Sequence, residues 1–126
     1  MAVFWLLSAA AAIEAVTGLV LIISPQSVGS LLLGADLAAA GSAVGRVAGI
    51  ALLSLGLVCW ISRQVANKNA VVAGMLTYNL LVTAYLMYLG FGGNLVGSLL
   101  WPAIAIHAVL TLLFAYVRFD DQGSSS

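Results

Sequence analysis

The chain is 126 residues long, 63% of them hydrophobic and 6% charged, with four basic and four acidic side chains and a formal net charge of zero. An ordinary soluble domain carries roughly 25% charged residues, so this composition excludes a water-soluble core and points to a bilayer. Zero net charge leaves no electrostatic footprint for nucleic acid, and a single cysteine, Cys59, excludes an intrachain disulfide and a CxxC redox pair.

A helix that crosses a bilayer needs about 20 apolar residues, and such stretches fill the chain almost end to end. The first covers residues 2–23 and stops at "SPQS", where Pro25 cannot continue a helix and Ser24 can cap a new one. It has the length of a span and no basic n-region, so it is expected to be a span, although "SAAAA" offers small residues of the cleavable-signal type. The next segment, "QSVGSLLLG", predicts a short turn or helix in the interface.

A second span is expected over 37–61, with Asp36 as N-cap and the polar "SRQVANKN" after it. The third covers 70–89 and ends at "GFGGN". The fourth covers 95–117, with Pro102 in its first half, where the missing N–H would free the Ser98 carbonyl and kink the helix. Residues 119–126 read as a polar flexible tail. The expected fold is thus all-α: one integral membrane four-helix bundle over 1–118 with short loops.

Orientation follows from the cations. Arg63 and Lys68 lie in the second loop and Arg118 follows the fourth span, whereas the first and third loops have none, so both termini are expected to be cytoplasmic. Trp5, Trp60 and Tyr116 fall near that face and Tyr88 and Phe91 near the other, where interfacial aromatics prefer to sit.

Each span carries one strongly polar side chain: Glu14, Arg46, Asn79 and His107. Counted from the non-cytoplasmic ends of the spans, Glu14 and Arg46 fall at about 14 Å, Asn79 at about 15 Å and His107 at about 18 Å, close to the middle of a hydrocarbon core about 30 Å thick. A lone charge there costs about 2.5 to 3.5 kcal/mol on insertion scales. Arg46 is therefore expected to face inward and pair with Glu14, with Asn79 and His107 completing the hydrogen bonds of this buried polar cluster.

Gly41, Gly45 and Gly49 form a small-residue stripe beside Arg46, and Ala9 to Ala12, Ala15 and Gly18 give the first helix a matching smooth face, a pattern expected for close packing within the bundle. Tyr78 and Tyr85, seven apart and so on one face, read first as core or lipid-facing packing, with the lining of a pocket for an aromatic ligand, together with Ser98, as the alternative. His107 alone supplies half of a bis-histidine haem site and one ligand of a zinc site, so it reads as a hydrogen-bonded core histidine and no metal site is expected. Phosphate loops and nucleophile triads are absent from the sequence.

The segments "EAVTGLVLIISP", "SVGSLLLG" and "GRVAGIALLSLGLVCWISR" give the chain a layout that resembles the DoxX-like group of small four-span bacterial membrane proteins. Some members of that group are membrane subunits of quinone-linked sulfur oxidation. The resemblance implies a bacterial inner-membrane protein with a quinone or lipid as its small lipophilic ligand, or one that serves as an accessory subunit to a membrane partner or a homo-oligomer. Length, span number and Glu14 are also similar to the small multidrug resistance exporters, which implies the alternative of proton-coupled export of hydrophobic cations. A fixed cation at the depth of Glu14 would compete with such a substrate, and the characteristic sequence of that family across its second and third spans is missing. Loops this short leave no room for a soluble active site, which places a self-contained enzyme third.

Overall fold

A computed structural model describes residues 2–123, with side chains to Asp120. The chain is all-α: α1 (Ala2–Ile23), α2 (Pro25–Val28), a π-helical turn (Gly29–Leu33), α3 (Ala39–Ser62), α4 (Asn69–Gly92) and α5 (Leu100–Gly123). Four of these, α1, α3, α4 and the stretch Leu100–Asp120 of α5, are long and apolar enough to cross a membrane. Bare backbone amides in hydrocarbon cost several kcal/mol each, and helices satisfy them within the segment. Large apolar side chains such as Val44, Leu57, Leu81 and Leu112 cover the outside of the bundle. In water this would be an aggregating surface; in lipid it is the solvated one.

The helices form two antiparallel hairpins, α1 with α3 and α4 with α5, which meet through α1 with α5 and α3 with α4. Small residues set the spacing of the first hairpin. A Cβ placed on Gly49 would stand 2.6 Å from the Gly18 carbonyl oxygen, and one on Gly56 would stand 2.9 Å from that of Ala11. The small-residue stripe thus serves packing within the chain. Between the hairpins, the half of the bundle nearer the N-terminus is filled by Leu7, Cys59, Met75, Leu110, Phe114 and Val117. The other end holds only a small cluster, Leu86, Leu100 and Ile104.

Several boundaries differ from the sequence expectation, each for a local reason. Residues 95–99 are not helical. Gly97 N–H donates to Leu32 O at 3.0 Å and Leu99 N–H to Leu31 O at 2.8 Å, so this loop spends its backbone groups on the π-helical turn, and α5 begins at Leu100. Pro102 consequently lies in the first turn of α5, where its missing N–H has no partner to lose; the expected kink is replaced by a helix start, and Ser98 lies in the turn before it. At the far end, α5 continues to Gly123 because no proline or glycine interrupts "RFDDQ", which corrects the tail expected from residue 119; residues 124–126 lie outside the described ones. α4 extends to Gly92 and closes on Gly93, whose φ of 72° is the left-handed conformation that glycine tolerates.

Asp36 does not cap α3. The N-cap is Ala38, without a side-chain bond, and Asp36 instead accepts from Ser30 Oγ at 3.4 Å. The start of α3 is held by Gln26, whose Oε1 accepts from Leu37 N–H at 3.0 Å and whose Nε2 donates to Leu37 O and to Ser42 Oγ, both at 2.8 Å. Ser24 sits before α2 without capping a backbone amide, its hydroxyl paired with that of Ser27 at 2.7 Å.

Candidate functional site

Glu14 projects from α1 toward the other hairpin and is 1% exposed. Its Oε2 accepts a hydrogen bond from Tyr78 Oη on α4 at 3.1 Å, while Oε1 is buried with no partner. Asn79, one residue further along α4, is fully buried. Its Nδ2 donates to Met75 O at 2.8 Å, and its Oδ1 lies 2.8 Å from His107 Nδ1 on α5. The Tyr78 ring meets the imidazole edge to face, with centroids 5.8 Å apart at 79°. Two hydroxyls tie up carbonyls nearby, Thr83 Oγ1 on Asn79 O and Thr111 Oγ1 on His107 O, each at 2.7 Å. Three of the four polar residues singled out in the sequence therefore meet in one cluster across α1, α4 and α5, with Tyr78 as the link.

Arg46 is not among them, and the expected Glu14–Arg46 pair is corrected. Arg46 is exposed, and its Nε donates to the backbone carbonyl of Ile22 at 3.2 Å. The cause is register. Gly18 faces Gly49, Gly56 faces Ala11 and Ala15, and Gly45 faces Pro25. Glu14 is thus level with Leu53 and Arg46 with Leu21, about two turns or roughly 10 Å apart along the axis. Counting inward from the span ends failed because those ends are not level: α3 runs on past the end of α1, and α2 covers the overhang. Asn79 and His107 bond each other instead of completing the arginine.

Arg46 solves a different problem. The last carbonyls of a helix have no intrahelical donor, and Pro25 makes the break after α1 abrupt by having no N–H to offer. A guanidinium there satisfies a carbonyl and meets the negative end of the helix dipole, while its exposed side chain can run toward the headgroups. The signal for this role was Pro25 itself.

Near the cluster the hairpins leave a groove of about 380 Å³. Its walls are largely apolar, among them Ile13, Val20, Leu52, Val82 and Ala103, and its polar groups are Thr17, Ser27, Tyr78 and His107. Tyr78 borders this groove. Tyr85 does not: it is 62% exposed and stacks on Tyr88 with centroids 6.3 Å apart. Ser98 is exposed outside the groove, and its neighbour Leu99 lines it instead. Sequence reasoning missed Thr17 and Ser27 at this wall, for which helical spacing from Glu14 was the available hint in the case of Thr17. At the end of the bundle carrying the N-terminus, Arg63 lies over the Trp60 ring at 3.2 Å and donates to Ser8 Oγ at 3.1 Å, pinning α3 to α1.

Fold and site together define a multi-pass α-helical membrane protein built as a bundle. The chain matches no protein-family model, no curated protein and no solved structure.

Proposed function

We propose that this chain binds a small lipophilic ligand in the groove between its two hairpins, acting alone or as an accessory subunit of a membrane complex. The observation that carries this is the groove itself, about 380 Å³ with apolar walls and with Tyr78 and His107 on one side. Ligand sites commonly measure 300 to 1,000 Å³ and combine apolar walls with a few fixed polar groups. The groups here are held from behind, Tyr78 by Glu14 and His107 by Asn79. A quinone-like or lipid-like molecule is the class suggested by the DoxX-like layout. The DoxX-like layout suggests a bacterial inner membrane, and Arg63, Lys68 and Arg118 favour an orientation with both termini cytoplasmic.

Native mass spectrometry of protein purified in mild detergent tests the proposal. Wild type should retain one small molecule, and Ala103→Phe, which fills the groove, should lose it, whereas Leu112→Phe on the outer surface should keep it. Equal retention by both variants, or an empty wild type, would sink the proposal; a partner subunit would appear in the same spectrum.

One observation favours the exporter as a second reading. Arg46 lies away from Glu14 and so does not compete with a cation there. Proton-coupled flux of a hydrophobic cation into liposomes, lost in Glu14→Gln, would establish it; absence of flux from wild type would remove it.

A further inference from the structure

The hydrogen bonds around His107 decide which kind of polar group the groove can receive. Met75 O is a carbonyl and can only accept, so the atom of Asn79 that meets it is the amide nitrogen, and Asn79 Oδ1 faces the imidazole. Amide oxygen accepts only, so His107 Nδ1 must carry a proton and donate. A neutral imidazole with its proton on Nδ1 has a bare, accepting Nε2. Nε2 has no hydrogen-bond partner among the described residues, and His107 borders the groove. Tyr78 does not reverse this bias, because its hydroxyl proton is already given to Glu14 and only its oxygen lone pairs remain. Ser27 shares a bond with Ser24 in which either hydroxyl can donate, and Thr17 can donate or accept, so neither favours one class.

We infer that the groove selects molecules that donate a hydrogen bond, namely a lipophilic alcohol or phenol whose hydroxyl rests on His107 Nε2, over molecules that offer only carbonyls, such as an oxidised quinone. This rests on the ligand-binding proposal above and narrows it. Asn79 is a positioning residue here: it sets the tautomer and touches no ligand.

His107 is the one histidine in the sequence, so protein labelled with ¹⁵N-histidine yields a single imidazole whose two nitrogens report the tautomer and any ligand directly. In wild type the unprotonated nitrogen should be Nε2. Titration with para-hexylphenol should move that resonance, and the phenol should bind about tenfold more tightly than its methyl ether, para-hexylanisole, or hexyl-para-benzoquinone, the worth of one net hydrogen bond. His107→Phe should erase the preference, and Asn79→Leu, which removes the acceptor that holds the proton on Nδ1, should weaken it and move part of the proton population to Nε2. A proton on Nε2 in the free protein, or anisole or benzoquinone binding as tightly as the phenol, would overturn the inference and leave the groove a ligand site. If none of the three probes binds and the mass spectrum of wild type is empty, both this inference and the ligand-binding proposal fall.

Discussion

Arg46 Nε donates to the carbonyl oxygen of Ile22 at 3.2 Å, so the one guanidinium in the apolar body of the bundle closes a helix end. Its partner is backbone, supplied by the break before Pro25, and no carboxylate is needed to hold it.

This relationship predicts additivity. Arg46→Leu should destabilise the protein by about 1.5 to 3 kcal/mol, the range for a hydrogen bond to a charged group, measured by denaturation in mixed detergent. Glu14→Gln should add its own loss, and the double mutant should show the sum within about 0.5 kcal/mol, because residues that distant share no partner. Recovery of stability in the double mutant would restore the ion pair and refute the helix-end role.

Coupling is expected instead between Glu14 and Tyr78. Tyr78→Phe leaves the carboxyl without its one donor, which should cost about 1 to 3 kcal/mol. Glu14→Leu with Tyr78→Phe together should lose clearly less than the two single changes combined. A coupling energy near zero in the double-mutant cycle would show that the bond at 3.1 Å carries no stability.

The close approach of α1 and α3 makes its own forecast. Gly49→Ala and Gly18→Ala each place a methyl 2.6 Å from backbone oxygen, and overpacking of this kind costs about 1 to 3 kcal/mol. Gly74→Ala on α4 meets nothing within 4 Å and should be neutral or gain up to about 1 kcal/mol from helix propensity. Equal effects at all three positions would mean that glycine at the α1–α3 contact is incidental.

Topology can be read with two cysteines in a Cys59→Ala background. One at Asn94, in the loop between α4 and α5, should react with an impermeant thiol reagent from outside intact cells. One at Asn67, beside Lys68, should react only after the membrane is opened. The reverse pattern would turn the bundle over and void the cytoplasmic placement of the termini.

Sequence alone determined the solvent, the class and the number of crossings. Those follow from 63% hydrophobic residues, 6% charged residues and runs of span length, because transfer of a side chain between water and lipid is a property of that side chain and hardly depends on its neighbours. It also picked out Glu14, Arg46, Asn79 and His107 as residues that must turn inward, since an unpaired polar group is costly in hydrocarbon; the first, third and fourth meet between the helices, and Arg46 is exposed. Tertiary structure decided who meets whom. The register of α3 on α1 is set by Gly18 against Gly49 and by Gly45 against Pro25, contacts between residues distant in the chain that no count from the span ends can supply. That slide of about two turns took Arg46 from Glu14 to Ile22 and left Tyr78 as the donor to the carboxyl, while the packing of α5 on α4 set His107 against Asn79. The edges of α5 were decided in the same way, since residues 95–99 have the composition of a helix yet spend their amides on Leu31 and Leu32. Local composition says which groups must be satisfied in a membrane; only the packing of one helix on another says by whom.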